Sequence, residues 1–479
     1  MAREKKKQKI RYNEYYDMQK TVDDLYARSL RNENFYKLHQ IIISPENVQM
    51  ALRKLSKNSG SKTSGCDGLV ASDLLKLPTD EVIKKIEGMM ENYQPRKVKR
   101  VYIPKPNGDK RPLGIPSIWD RLLQQCMLQV LEPICEAKFN PYSYGFRSNR
   151  SCEHAIASFD GRINISQALY VVNIDIKGFF DNVNHGNLLK QMWSMGIRDK
   201  KVIKIISIML KTEVAGEGFP EKGTPQGGVI SPLLANIVLN EFDWWLSNQW
   251  STSPVAKQTT NYAHRLRKSK LKRFFFVRYA DDVKIICYDI DTAVRIKIAA
   301  IEWLKDRLDL KVCKEKTSIT DLKKQYSEYL GIMIKATARG KNKDGTTKYV
   351  LKSKLSPKAK ERIHREAQKQ LKELKYAPHD LKRYQIINQY NSYVIGIHNY
   401  YQHATMAATD FADIGYKIHS LMKVRYRHYI SKSNGKTRNR YINERYGRSR
   451  GLILFNGFPI VPIQHVSFKT PMGYNRKIN

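Results

Sequence analysis

Two adjacent carboxylates, Asp281 and Asp282, stand in the middle of FFFVRYADDVKIICY, a stretch that otherwise reads as two apolar strands joined by a turn. A hairpin tip lets such charges meet solvent at little desolvation cost, and Asp is an ordinary turn residue. A third acid changes the chemistry. Asp175 closes another apolar run, ALYVVNID, 106 positions upstream, which alternates with Val171, Asn173 and Asp175 on one face and Val172, Ile174 and Ile176 on the other. An acid in that setting costs stability unless it is hydrogen-bonded or metal-bound. With this strand beside the hairpin, three carboxylates converge, and hard divalent cations that take oxygen ligands, Mg2+ above all, are what would hold them together. Two such ions about 3.5–4 Å apart form the usual clamp for in-line phosphoryl transfer.

The elements that must position these acids are legible around them. Residues 1–45 read as a polar, basic N-terminal extension with a helical stretch around 15–38, and Ser44 is a plausible N-cap for SPENVQMALRKL. SKNSGSKTSGCDG is a polar loop, and in KRVYIPKPNGDKRPLGIPSI two β-like runs flank the hairpin dipeptide Asn107-Gly108. A helical stretch is expected near 186–211, then the Gly-rich loop GTPQGG feeding an apolar helix, a basic insertion over 252–272, the hairpin itself, an amphipathic helix over 292–307 and the short strand YLGIMI. After 340 the texture predicts long basic helices. One starts at Ser356-Pro357 with Ile363, Ala367, Leu371 and Leu374 on its apolar side, and another carries the stripe Ile386, Tyr390, Tyr393, Ile397 and Tyr400. The fold class is therefore α+β, followed by an all-helical module.

The chain has 479 residues, 85 Lys plus Arg against 45 Asp plus Glu, and a formal net charge of +40. A charge of that size points to a polyanionic partner, because each phosphate neutralised releases condensed counterions. The six cysteines show neither CxxC pairs nor zinc-ligand spacing. No apolar run approaches the ~20 residues of a membrane span, so no membrane partner and a cytoplasmic location are expected.

The blocks TSGCDG, IPKPNGDKRPLGIPSIWDR, LEPICEAKFNPYSYGFRSNRS, VVNIDIKGFFDNVNH, GTPQGGVISPLLANIVLNEFD, VRYADD, LKVCKEKTSI and YLGI occur in this order. The chain thereby resembles the group II intron-encoded reverse transcriptases with maturase function over nearly its whole length. The resemblance implies a right-hand polymerase: fingers over 46–158, a palm over 159–335 carrying the 252–272 insertion, an all-helical thumb or maturase domain over 336–430, and a basic DNA-binding segment over 431–479. It implies that Asp175 and Asp281 bridge two catalytic Mg2+ ions while Asp282 supports the site. Lys105 and Arg111 match residues that hold the incoming triphosphate, where cations neutralise charge on the leaving pyrophosphate. Phe180 falls where this class blocks a ribose 2′-hydroxyl, with Phe179 the alternative. Either residue is also ordinary strand-end core.

Gln226, between Pro225 and Gly227-Gly228, matches the residue lining the nucleotide pocket, although TPQGG alone is also a turn before a helix. Tyr279 and the Tyr329-Leu330-Gly331 turn match primer contacts, and Arg147 and Lys316 fit template or nucleotide contacts. His185 carries no assigned catalytic role. Gly396, Asn399, Tyr400 and Tyr401 match the maturase domain. The partners implied are group II intron RNA, an RNA template with a DNA primer, target DNA and dNTPs, with dimerisation left open. Two other readings stay open: a splicing-only maturase, and a related reverse transcriptase in phage defence or beside a CRISPR system. No paired His and Cys ligands of a C-terminal endonuclease appear in FNGFPIVPIQHVSFKTPMGYNRKIN, so none is expected in this chain.

Overall fold

Helix starts here are set by side chains that satisfy the unpaired N–H groups of a first turn. The hydroxyls of Ser44, Ser117, Ser151 and Ser356 accept from the backbone N–H of Asn47, Asp120, His154 and Ala359 at 3.4, 3.1, 3.4 and 3.3 Å. Pro45 and Pro357 occupy the first turn of their helices, where no N–H is needed. The structure, a computed structural model, describes residues 11–104, 108, 110–225, 227–253, 273–342, 345–432, 440–446 and 452–469.

The first half contains α1 (Tyr12–Tyr15), α2 (Gln19–Leu30), α3 (Leu38–Ile42), α4 (Pro45–Lys57), α5 (Ala71–Leu74), α6 (Thr79–Glu91), β1 (Lys99–Pro104), β2 (Lys110–Ile115), α7 (Ile118–Glu136), α8 (Cys152–Ser166), β3 (Tyr170–Asp175), α9 (His185–Ser194), α10 (Lys200–Leu210) and α11 (Ser231–Gln249). The second contains β4 (Phe274–Tyr279), β5 (Asp282–Cys287), α12 (Ile290–Leu308), β6 (Ser318–Asp321), β7 (Ser327–Tyr329), β8 (Ile332–Lys341), β9 (Thr347–Leu355), α13 (Pro357–Glu373), α14 (Asp380–Tyr401), α15 (Ala407–Tyr426), β10 (Ile430–Lys432), α16 (Arg440–Tyr446), β11 (Ile453–Phe455) and β12 (Phe458–Ile460).

An antiparallel sheet in the order β4-β5-β3-β6 divides the interior into two cores. Because side chains alternate along each strand, Val172, Ile174, Phe274, Phe276, Val283 and Ile285 face one core with α7, α11 and α12. Val171, Phe275, Val277 and Ile286 face the other, which α8, β7–β9 and α13–α15 complete. The N-terminal segment is built into the first core through Leu25, Phe35, Leu38 and Ile42. The backbone N–H groups of Phe35 and Arg198 donate to the carbonyls of Gly196 and Phe35 at 2.8 and 2.9 Å. Among the described residues no helix is long and apolar enough to cross a membrane.

Several expectations need correction. The helical stretch near 186–211 is two helices, broken where Gly196 takes φ +98° and Asp199 caps α10, accepting from the N–H groups of Lys201 and Val202. The module after 340 is not all-helical: β8 and β9 pair as a long hairpin, and β10, β11 and β12 form a small sheet. In β8 and β9 only one face is apolar, with Ile332, Ile334, Ala336, Leu351 and Leu355 buried, and lysines on the other face masked the period-2 pattern. The expected boundaries after 158, 335 and 430 fall inside α8, β8 and β10. The tail contributes Phe455, Ile460, Val461 and Ile463 to the second core. The 252–272 insertion and the Asn107 turn lie mostly outside the described residues.

The buried stripe of α14 is also rotated from the expected one. Ile386 and Tyr390 are buried, but Val394, His398 and Tyr401 follow them inward, while Tyr400 is exposed. His398 qualifies as core because both ring nitrogens are satisfied: Nε2 donates to the Ile463 carbonyl at 2.8 Å, which leaves Nδ1 to accept from the Tyr446 hydroxyl at 2.9 Å. Burial, aided by the charge of Arg445, lowers this imidazole to about 4. It folds neutral, whereas the unfolded chain takes a proton below about pH 6.5, so its contribution is present above that pH and is lost as pH falls toward 4. We expect His398→Gln to cost about 1–3 kcal/mol at pH 7.5 and to flatten the pH dependence of stability between 6.5 and 4, as read by urea denaturation.

Candidate active site

The register of the sheet puts Asp175 directly opposite Asp282, and Asp282 opposite Tyr279, so Ala280 and Asp281 are the two turn residues between β4 and β5. Ala280 sits at φ +56°, a left-handed conformation that costs an L side chain free energy unless the surroundings hold it. Arg278 supplies that hold. Its guanidinium is 1% exposed and donates to the Ala280 carbonyl at 2.7 Å, to Asn236 Oδ1 at 3.1 Å and to both carboxylate oxygens of Asp243 at 2.7 and 2.6 Å. The Asn236 amide in turn donates to the Gly145 carbonyl at 2.8 Å. Residues 142–144 line the edge of β4: Arg278 N–H donates to the Tyr142 carbonyl and Tyr144 N–H to the Arg278 carbonyl. A Cβ at position 145 would lie 2.3 Å from the Ala280 nitrogen, so the glycine of SYGFR is what lets this loop press against the turn.

The carboxylates repel and are partly desolvated. Asp281 is held above the usual carboxylate range by burial and then by Asp175, against the opposing charges of Arg111 and Arg278. Asp282 is raised by burial, with Lys284 opposing and Asp281 and Asp175 adding to the rise. Ammonium groups stand close by: Lys316 Nζ lies 3.5 Å from Asp175 and Lys284 Nζ 3.3 Å from Asp282. Among the described residues the three acids do not close into a three-ligand cluster. The donor set nonetheless fits a hard cation, since it consists of carboxylate oxygens that repel one another and whose charge is incompletely neutralised.

Of the other sequence-derived candidates, Lys105 and Gln226 lie outside the described residues. Arg111 is on β2, close enough to act electrostatically on Asp281. Phe179 is buried in the first core, whereas Phe180 is half-buried, packs against the margin of that core and meets Phe146 edge-to-face at 6.3 Å. Tyr279 and Tyr400 are both raised by burial and by contact with Cys152 at the start of α8. The Tyr400 hydroxyl donates to the Leu330 carbonyl at 3.0 Å, and Leu330 and Gly331 take φ +51° and +77° in the tight turn between β7 and β8. A Cβ on Gly331 would lie 3.2 Å from the Tyr401 hydroxyl. His185 is a buried, satisfied histidine whose Nε2 lies 2.7 Å from the Gly223 carbonyl.

Arg147, matched from the sequence to a template or nucleotide contact, is engaged within the protein. It is 7% exposed and donates to Glu136 at 2.8 and 2.6 Å and to the carbonyls of Asn140 and Ser143 at 2.7 Å each. It clamps the 140–147 loop that carries Gly145, because its fork satisfies carbonyls which the loop cannot pair itself.

Residues 103–334 match the reverse transcriptase (RNA-dependent DNA polymerase) family. Protein YkfC of Escherichia coli is 34% identical over 301 residues, covering 59% of this chain and 79% of that protein. The group II intron-encoded protein LtrA of Lactococcus lactis is 31% identical over 363 residues, or 64% of this chain. This chain belongs to the group II intron-encoded reverse transcriptase and maturase family. It spans 58% of the Lactococcus protein, and 23% of the Arabidopsis thaliana nuclear intron maturase 2, to which it is 28% identical.

In this reverse transcriptase the residues that sequence reasoning overlooked are those under the turn: Arg278, Asp243, Asn236 and Lys284. The signal was present, since Arg278 occupies the same strand phase as Phe274 and Phe276, and a charge in an apolar phase requires a buried partner. Lys284 likewise sits within an apolar strand, donating to Asn173 Oδ1 at 2.9 Å and the Glu328 carbonyl at 2.7 Å.

Removing one member of the buried pair, by Asp243→Ala or Arg278→Ala, should cost about 3–5 kcal/mol in chemical denaturation. The double change Arg278→Met with Asp243→Leu should recover most of that stability but not activity, because Ala280 loses its donor. A second expectation concerns charge. In EDTA, Asp281→Asn should raise the melting temperature at pH 7 by roughly 2 °C. The gain should vanish as pH falls and Asp281 takes up its proton, because the raised carboxyl destabilises the fold only while ionised.

Proposed function

We propose that this enzyme copies RNA into DNA at the turn between β4 and β5, with Asp175, Asp281 and Asp282 as the acids that hold two Mg2+ ions. The observation that carries this reading is the register that sets Asp175 against Asp282 beside a strained turn clamped by Arg278. When bound, the two ions would activate the primer 3′-oxygen and neutralise the leaving pyrophosphate. The chain's own residues supply the rest. Arg111, with Lys105, offers cations to the triphosphate of the incoming nucleotide. Phe180, half-buried at the margin of the first core, would meet a ribose 2′-hydroxyl, and Gln226 would line the same pocket. Tyr279 and the Leu330-Gly331 turn, pinned by Tyr400, would support the primer end, and Lys316 beside Asp175 would contact nucleotide or template. In this reading the α13–α15 module acts as the thumb and maturase domain. Intron RNA, target DNA, splicing and retrohoming are part of this proposal, supported by the likeness to intron-encoded proteins and maturases rather than by any one side chain.

Mg2+-dependent extension of oligo-dT on poly-rA tests the core of this reading. The unmodified enzyme should extend and Asp281→Ala should fall to background, while extension persisting in that variant would refute it. Phe180→Val should admit ribonucleotides roughly tenfold or more better, whereas Phe179→Val should mainly destabilise the fold. Absence of extension with both, in folded protein that binds RNA, would favour a splicing cofactor.

A further inference from the structure

The hairpin of β8 and β9 has a second face with no role in the site described above. Its inner face, with Ile332, Ile334, Leu351 and Leu355, packs into the second core. On the outer face Lys335 stands directly opposite Lys352, and Lys354 opposite Met333. Lys335 and Lys354 converge on a single ring, Tyr326, with their Nζ atoms 5.6 and 4.4 Å from its centroid. Arg339 and Lys348, both exposed, continue the row toward the hairpin tip. Among the described residues none of these five cations forms an ion pair. The acid of β7 in the same phase is Glu328, opposite Met333.

Like charges directly opposite on neighbouring strands destabilise a sheet, and an external anion would relieve the repulsion between Lys335 and Lys352. Residues two apart in a strand are about 6.6 Å apart, a spacing comparable to that of consecutive phosphates along one nucleic-acid strand. Besides the cations and the Tyr326 ring the face carries Met333, Thr337, Val350 and Glu328, a set richer in charge for phosphates than in groups to read base edges. We propose that the outer face of β7–β9 binds the phosphodiester backbone of a nucleic-acid strand outside the catalytic cleft. This rests on the polymerase reading only in that it presumes a nucleic-acid partner.

The test uses the full chain, Lys352→Glu, and the triple variant Lys335→Gln, Lys352→Gln, Lys354→Gln. Lys352→Glu converts a repulsive cross-strand pair into an attractive one, so its melting temperature should rise while its affinity for a 40-nucleotide single-stranded RNA falls. A merely structural role would move both the same way. For the triple variant, the slope of log affinity against log salt should be shallower by about 2, at roughly 0.7 for each phosphate no longer neutralised. The weakening should be equal on a DNA strand of the same sequence. Unchanged affinity in Lys352→Glu, an unchanged slope in the triple variant, or a weakening confined to RNA would each overturn the proposal. Extension of a short template–primer, run in parallel, should be unchanged by these variants. Its absence in the unmodified enzyme would count against the polymerase reading and leave the binding comparison standing.

Discussion

Arg278 and Asp243 form an ion pair with side-chain exposures of 1% and 0%, and the rest of the site hangs from it. Neither charge could be buried alone, since desolvation of one unpaired ion exceeds what the surrounding packing returns. Paired, they leave the guanidinium with donors to spare, and these reach Asn236 and the Ala280 carbonyl. Helix α11, the SYG loop and the turn bearing Asp281 are thereby tied to one planar group. A lysine at 278 could not span three acceptors in fixed directions, which is the physical reason for an arginine there.

The two cores meet at one sheet, and the carboxylates stand at the end of it where neither core fully covers them. That placement leaves the acids partly desolvated, which raises Asp281 and Asp282, and yet partly open to solvent. The second core also reaches the site from the side, through the Tyr400 hydroxyl on the Leu330 carbonyl and Tyr401 beside Gly331. Helix α14 is thereby joined directly to the turn between β7 and β8.

Sequence reasoning recovered β3 with both its faces, the hairpin of β4 and β5, and the caps at Ser44 and Ser356, because each depends on local periodicity or a single local hydrogen bond. It missed β9, whose apolar side alternates with lysines, and for α14 it found the inward stripe but set it off-centre, since Val394, His398 and Tyr401 are buried more deeply than Tyr393 and Ile397, the histidine because two distant segments satisfy it. It matched Arg147 to a template or nucleotide contact and could not foresee that Glu136 and two carbonyls take up its guanidinium.

By itself, then, the sequence determined the residue types, their strand phases, the family and the excess of positive charge, since these are properties of order and composition. Only the tertiary structure decided which of Phe179 and Phe180 is fully buried, which basic groups are consumed by buried acids and carbonyls, and which, such as Lys335 and Lys352, form no ion pair among the described residues. Those outcomes depend on pairings between residues far apart in the chain, and the free energy of a buried or exposed charge is set by such partners rather than by its neighbours in sequence.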